Sequence, residues 1–218
     1  MSAAAARSSP AGFWKRYLAW SIDALLISVV AQFLFGIVAT VFAFGGDDML
    51  KQLTAASATM EGGGDTDALM ALVQSLTPLL WQMTWLSTLL YMLCATIYFV
   101  GMEASPWQAT LGKRLLGIRV VDMQGRRIGL WPALLRCVVA GISWLLLNLG
   151  HAMAAWTADK RALHDYAAGT RVENIDPANT AIPRWGWLLL AAQGLAMLAF
   201  VLIGGLVLGL VFSSYGVV

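Results

Sequence analysis

One aspartate, Asp23, lies inside an apolar run, and Arg16, Arg136, His164 and Asp165 stand within or beside other apolar stretches. Near the middle of an inserted helix an aspartate costs about 2.5–3.5 kcal/mol, so it is expected to face the protein interior with a partner or a water-filled cavity. Two chemistries follow. A fixed ion pair would specify helix packing, whereas a carboxylate that changes its protonation state would carry a cation or a proton. Arg16 lies one face-preserving heptad before Asp23, about 10 Å away along a helix axis, which is long for a direct bridge. Arg136, one turn beyond Pro132, is the better candidate partner. His164-Asp165 is a pair that could shuttle protons, because histidine titrates near neutral pH, and equally one that could cap a turn.

Other chemistries find no support. There is no GxSxG or HExxH motif, and Gly112-Lys113 fails as a phosphate loop because Trp107 stands where the first glycine belongs and Arg114 follows the lysine. Cys94 and Cys137 lack CxxC or Cys/His spacing and read as small hydrophobes in helices. The expectation is therefore no enzyme, no cofactor and no metal site.

The elements that must position these residues are membrane spans. Of 218 residues, 59% are apolar and 12% charged, and the mean hydropathy is +0.71. A soluble domain carries about twice that charge. The fold expected is an all-α polytopic membrane protein. Three clear spans run from about 17 to 44, 77 to 100 and 185 to 212, and a polar-interrupted apolar stretch covers 130–156. The first stretch exceeds signal-peptide length and is expected to remain as an anchor. Gly205 and Gly209 have the spacing that lets two helices approach closely, which general packing explains first.

Charge sets the expected orientation. Arg7, Lys15 and Arg16 precede the first span, and Lys113, Arg114, Arg119, Arg126 and Arg127 follow the second. The loop from 45 to 76 has Lys51 against Asp47, Asp48, Glu61, Asp65 and Asp67. By the positive-inside rule the N-terminus and the 101–130 segment are cytoplasmic and the acidic loop is outside. The net charge of +2 is too small to imply nucleic acid.

The stretch 130–156 then decides where Lys160, Arg161, Arg171 and Arg184 lie. A single crossing puts them outside, against the rule; a re-entrant hairpin turning near Asn148-Leu149-Gly150 keeps them inside. Residues 117–122 and 126–130 alternate around Met123-Gln124-Gly125 and predict a small cytoplasmic β-hairpin, with 169–173 as a third strand candidate.

Taken together, Gly12-Phe-Trp-Lys-Arg16 leading to Asp23, Thr110-Leu-Gly-Lys-Arg-Leu-Leu-Gly-Ile-Arg-Val-Val-Asp122, Arg136, and Leu163-His-Asp165 with Ala168-Gly-Thr170 resemble the RDD family of bacterial membrane proteins. The resemblance covers about Gly12 to Val172 and aligns the naming residues with Arg16, Asp23 and Asp165. It implies an RDD-like membrane domain over 1–176, with 177–218 adding a further C-terminal transmembrane helix. It also implies residence in the bacterial inner membrane, and transport of a small ligand, with cation/proton antiport in some members. The partners expected are the lipid bilayer, a cation or proton, and a second copy of the chain. A different class also fits: a non-transporting scaffold or accessory subunit that engages a partner through its cytoplasmic strands.

Overall fold

The computed structural model of the chain describes residues 9–41 and 66–214, with positions 50, 51, 54, 55 and 58 between them. The end of the first expected span and most of the acidic loop, including Asp47, Asp48, Glu61 and Asp65, lie outside the described residues. The element order is α1 (Phe13–Val41), α2 (Thr66–Ala104), α3 (Leu111–Leu115), β1 (Ile118–Asp122), α4 (Leu130–Leu145), α5 (Leu149–Trp156), α6 (Leu163–Ala167), β2 (Thr170–Asn174) and α7 (Arg184–Ser214). Among the described residues, three helices contain runs long and apolar enough to cross a bilayer: Phe13–Val41, Val73–Ala104 and Arg184–Gly209. The shortest of them, at 26 residues, spans about 39 Å against a hydrocarbon core of about 30 Å.

The stretch 130–156 is two helices rather than one. α4 and α5 meet at 102°, across a break where Leu147 (φ 51°) and Asn148 (φ 62°) both adopt left-handed backbone. Asparagine tolerates that conformation and leucine does not, so the break is held by its surroundings. Gly150 is one of those constraints. A Cβ there would stand 2.2 Å from Ser143 Oγ and 3.1 Å from Leu163 Cβ, so only glycine lets α5 close on α4 and α6.

The strands correct the expected hairpin. β1 pairs antiparallel with β2, in a register from Ile118↔Asn174 to Asp122↔Thr170, and residues 126–129 form no strand. After β1 the Asp122 carboxylate accepts from the backbone N–H of Gln124 (2.9 Å) and Arg126 (2.8 Å), which closes a side-chain-capped turn where an inter-strand ladder was expected. Local alternation cannot distinguish a neighbouring strand from one fifty residues away, and β2 brings Val172 to a sheet core of fully buried Ile118, Val120 and Val121. The outer edges are covered by the chain itself. Ala11 N–H donates to Val172 O and Asn174 N–H to Ser9 O on one side, and Val120 N–H donates to Gln108 O on the other.

The chain divides into two compact units, residues 1–22 with 103–218, and residues 23–102. In the first, the α4–α5 pair leaves the sheet after β1 and returns to it before β2. There α7 also packs its first turns on the start of α1: a Cβ on Gly186 would lie 2.5 Å from Leu18 Cδ2, and Gln193 Nε2 donates to Ser21 Oγ at 3.1 Å. The second unit holds the rest of α1 and most of α2, with Asp23 fully buried.

The close approach at Gly150 generates a direct expectation. Gly150→Ala should destabilise the fold by about 1–3 kcal/mol through overpacking, measured as a lowered thermal midpoint in detergent, and Ser143→Gly should restore part of that loss.

Candidate functional site

The first unit is organised around Arg136, in the second turn of α4, whose side chain is buried. Its Nε donates to Glu103 Oε2 at 2.8 Å, and Nη1 donates to Asp165 Oδ1 and to Thr170 Oγ1. Glu103 ends α2 and also accepts from Lys113 Nζ of α3. Asp165, in the first turn of α6 and fully buried, accepts from Arg16 Nη1 of α1 at 2.6 Å and caps its own helix by accepting from Ala162 N–H at 2.9 Å. Arg16 also donates through Nε to Ala11 O at 3.0 Å, and Arg161 donates to the backbone oxygens of Thr170 and Asp165, both at 3.0 Å. Three cations thus engage two carboxylates, with Arg161 on the neighbouring backbone oxygens, at a point where α1, α2, α3, α4 and α6 meet.

Such a network is stable because every partner is hydrogen-bonded; a lone charge in the same place would cost several kcal/mol. Burial disfavours the charged form of Asp165, but the guanidinium of Arg136, then that of Arg16, overcomes it and holds the carboxyl well below the ordinary carboxylate range. A carboxylate fixed in this way is a poor proton carrier. His164 stands with Nε2 3.7 Å from Asp165 Oδ1. Burial first, partly opposed by Asp165 and reinforced by Arg136, lowers its pKa from 6.5 to about 3, so the imidazole is neutral at physiological pH. Its ring lies 5.2 Å from that of His151, and the Nδ1 atoms of both have no hydrogen-bond partner among the described residues.

Asp23 belongs to the second unit. Tyr98 Oη on α2 donates to Asp23 Oδ1 at 2.7 Å, tying α1 to α2 through a neutral hydroxyl. The pairing expected from the sequence is thereby redistributed: Arg136 engages Glu103 and Asp165, Arg16 engages Asp165, and Asp23 engages Tyr98. Sequence reasoning missed Glu103, Lys113, Arg161, Thr170, His151 and Tyr98. Glu103 was findable, as an acid on the first helical turn beyond an uncharged span and ten residues before Lys113. Among the described residues no three of His, Cys, Asp and Glu converge as a metal site.

The model of the RDD family matches residues 10–169, which include Arg16, Asp23, Arg136 and Asp165. "Uncharacterized protein YxaI" of Bacillus subtilis (strain 168) is 31% identical over 164 residues, covering 75% of this chain and 96% of that protein. "Uncharacterized protein YckC" of the same organism is 38% identical over 77 residues, covering 33% of this chain and 51% of that protein. No solved structure matches.

Two outcomes follow from the network. Asp165→Asn leaves Arg136 and Arg16 without their shared counter-charge and should cost about 3–5 kcal/mol in unfolding titrations of the detergent-solubilised protein. The pH dependence has a definite sign. His164 is held below its ordinary pKa, so the unfolded chain takes up a proton that the folded chain resists. Stability is then fully present above about pH 6.5 and falls as pH drops towards about 3. Asp165, also held low, adds its own loss only below its ordinary value of 3.8. Thermal midpoints measured from pH 7 to pH 4 should decline in the parent protein and stay flatter in His164→Gln.

Proposed function

The chain belongs to the RDD family, and from that premise we propose that it is a multi-pass membrane protein that carries a small ligand, exchanging a cation for a proton at Asp23. The observation that carries this reading is the fully buried Asp23 carboxylate in a candidate span, held by the Tyr98 hydroxyl at 2.7 Å. Intramembrane carboxylates face the protein interior and mark ion pathways and proton relays, and a hydroxyl contact is one that both protonation states of the carboxylate can make. Asp165 and Glu103 are unsuited to that role because guanidinium and ammonium groups already neutralise them. In this account Arg16, Arg136 and Asp165 hold the architecture, and Asp23 does the exchange. A second copy of the chain would complete the pathway, since the three long helices offer little material to enclose one.

The scaffold reading draws on the charge network itself, a device for fixing helix ends. Its partner would not add a strand to the sheet, because residues 9–11 and Gln108 occupy the edges. Charge and pairing support one orientation. Residues 1–22 and 103–218 hold 13 of the 14 Lys and Arg residues and 6 of the 12 Asp and Glu, which favours a cytoplasmic face. The β1–β2 ladder favours a re-entrant 130–156 with both flanks on that face.

In proteoliposomes with a trapped pH dye, sodium, lithium or potassium gradients should drive proton movement. Asp23→Asn should abolish that movement and Tyr98→Phe should slow it several-fold, both with insertion intact. Silence from well-inserted parent protein overturns the exchange reading and leaves the scaffold. Single cysteines at the exposed positions Gln124 and Ala158, with Cys94 and Cys137 replaced, should both resist an impermeant thiol reagent added to intact cells and react in inverted vesicles. Labelling of the position-158 cysteine alone from outside would show that 130–156 crosses.

A further inference from the structure

The short helix α3 presents a surface that the exchange chemistry does not use. Gly112 and Lys113 face inward, the latter bonded to Glu103 at the end of α2. The opposite face is exposed and mostly apolar: Leu111, Leu115 at 62% exposure, and Trp107 at 52% in the loop just before the helix. The exposed Arg114 lies over the Trp107 ring, its guanidinium carbon 4.1 Å from the centroid. Among the described residues the contact of that guanidinium is the ring rather than a carboxylate. Three large apolar side chains around one cation, in so few residues, form an unusual surface to leave in water.

Its position identifies the occupant. Trp107 follows the end of a candidate span, Ala104, by three residues, and the Lys113–Glu103 pair holds α3 against that end. The backbone hydrogen bond from Val120 N–H to Gln108 O at 2.7 Å fixes the other side of the loop to the sheet. The ridge is therefore pinned where a bilayer would change from hydrocarbon to headgroups, the level at which tryptophan is favoured. The unit that carries it holds 13 of the chain's 14 basic residues, which complements an anionic leaflet. We propose that α3 lies in the headgroup layer and binds an anionic phospholipid, with Arg114 on the phosphate, the Trp107 ring backing the guanidinium, and Leu111 and Leu115 against the upper acyl chains. Cation–π stacking restricts the guanidinium while leaving its N–H groups available to phosphate oxygens. The surface does not depend on whether Asp23 exchanges anything.

The test uses the full chain in nanodiscs of phosphatidylcholine, with or without phosphatidylglycerol. A nitroxide on Leu115→Cys, with Cys94 and Cys137 replaced, reports depth by its relative accessibility to oxygen and to a water-soluble nickel chelate. Spin-labelled phosphatidylglycerol and phosphatidylcholine report headgroup preference. The label at position 115 should sit at the acyl–headgroup boundary, whereas the same label on Met123→Cys, an exposed turn position, should be in water. Arg114→Gln should reduce the phosphatidylglycerol preference about fivefold, the effect of one interfacial cation, and Arg114→Lys should retain most of it. A position-115 label as wet as that at 123, or a preference unchanged in Arg114→Gln, overturns the proposal. Shielding of the label that persists in detergent micelles and rises with protein concentration also overturns it, and assigns the face to a second copy of the chain.

Discussion

A guanidinium held between two carboxylates, away from water, is the constraint on which the first unit depends. Arg136 can be buried there because Glu103 and Asp165 neutralise it, and those acids can be buried because Lys113 and Arg16 complete the set. Each ion would be costly alone, and removing any one strands its partners. The network also has long reach in sequence: Arg16 and Asp165 are 149 positions apart. Closing it requires 130–156 to turn back at the α4–α5 break, which in turn requires a glycine at position 150 and a left-handed backbone at Leu147 and Asn148. The β1–β2 ladder, with residues 9–11 along its edge, is the backbone counterpart of the same closure.

Much of this was legible in the sequence, for a simple physical reason. Ionisable residues are expensive in apolar surroundings, so Arg16, Asp23, Arg136 and Asp165 stood out at once, and long apolar runs marked the three candidate spans within a few residues where the structure describes them. Who pairs with whom was not legible. Asp23 and Arg136 looked matched in depth, but Arg136 finds Glu103 and Asp165, and only the tertiary return of α4–α5 brings Asp165 within reach. Glu103 was passed over because it falls just past the apolar run that defined the second span. The hairpin expected over 117–130 failed for a related reason. Alternation identified β1 and suggested β2, but the Asp122 side chain caps the turn that was to have joined β1 to a neighbour. Both errors concern long-range partners, which periodicity does not encode.

The same distinction separates architecture from chemistry. Where a carboxylate is bound by arginines its charge is fixed, and function through it would have to break the fold. Asp23 is bonded to a tyrosine hydroxyl, an interaction that both a carboxylate and its protonated form can make, with the hydrogen bond reversed. The two aspartates are thus held differently in this chain: Asp165 by the guanidinium groups of Arg16 and Arg136, and Asp23 in part by the Tyr98 hydroxyl.

If the buried charges act as a single lock, Arg16 and Asp165 must be coupled, and a double-mutant cycle measures that coupling. Unfolding free energies would be measured for the parent, Arg16→Gln, Asp165→Asn and the combined variant under one set of micelle conditions. Strong coupling is expected: the combined variant should lose less than the two single losses added together, by about 1–3 kcal/mol. Losses that add to within about 0.5 kcal/mol would show that Arg16 and Asp165 act independently, and would contradict the lock.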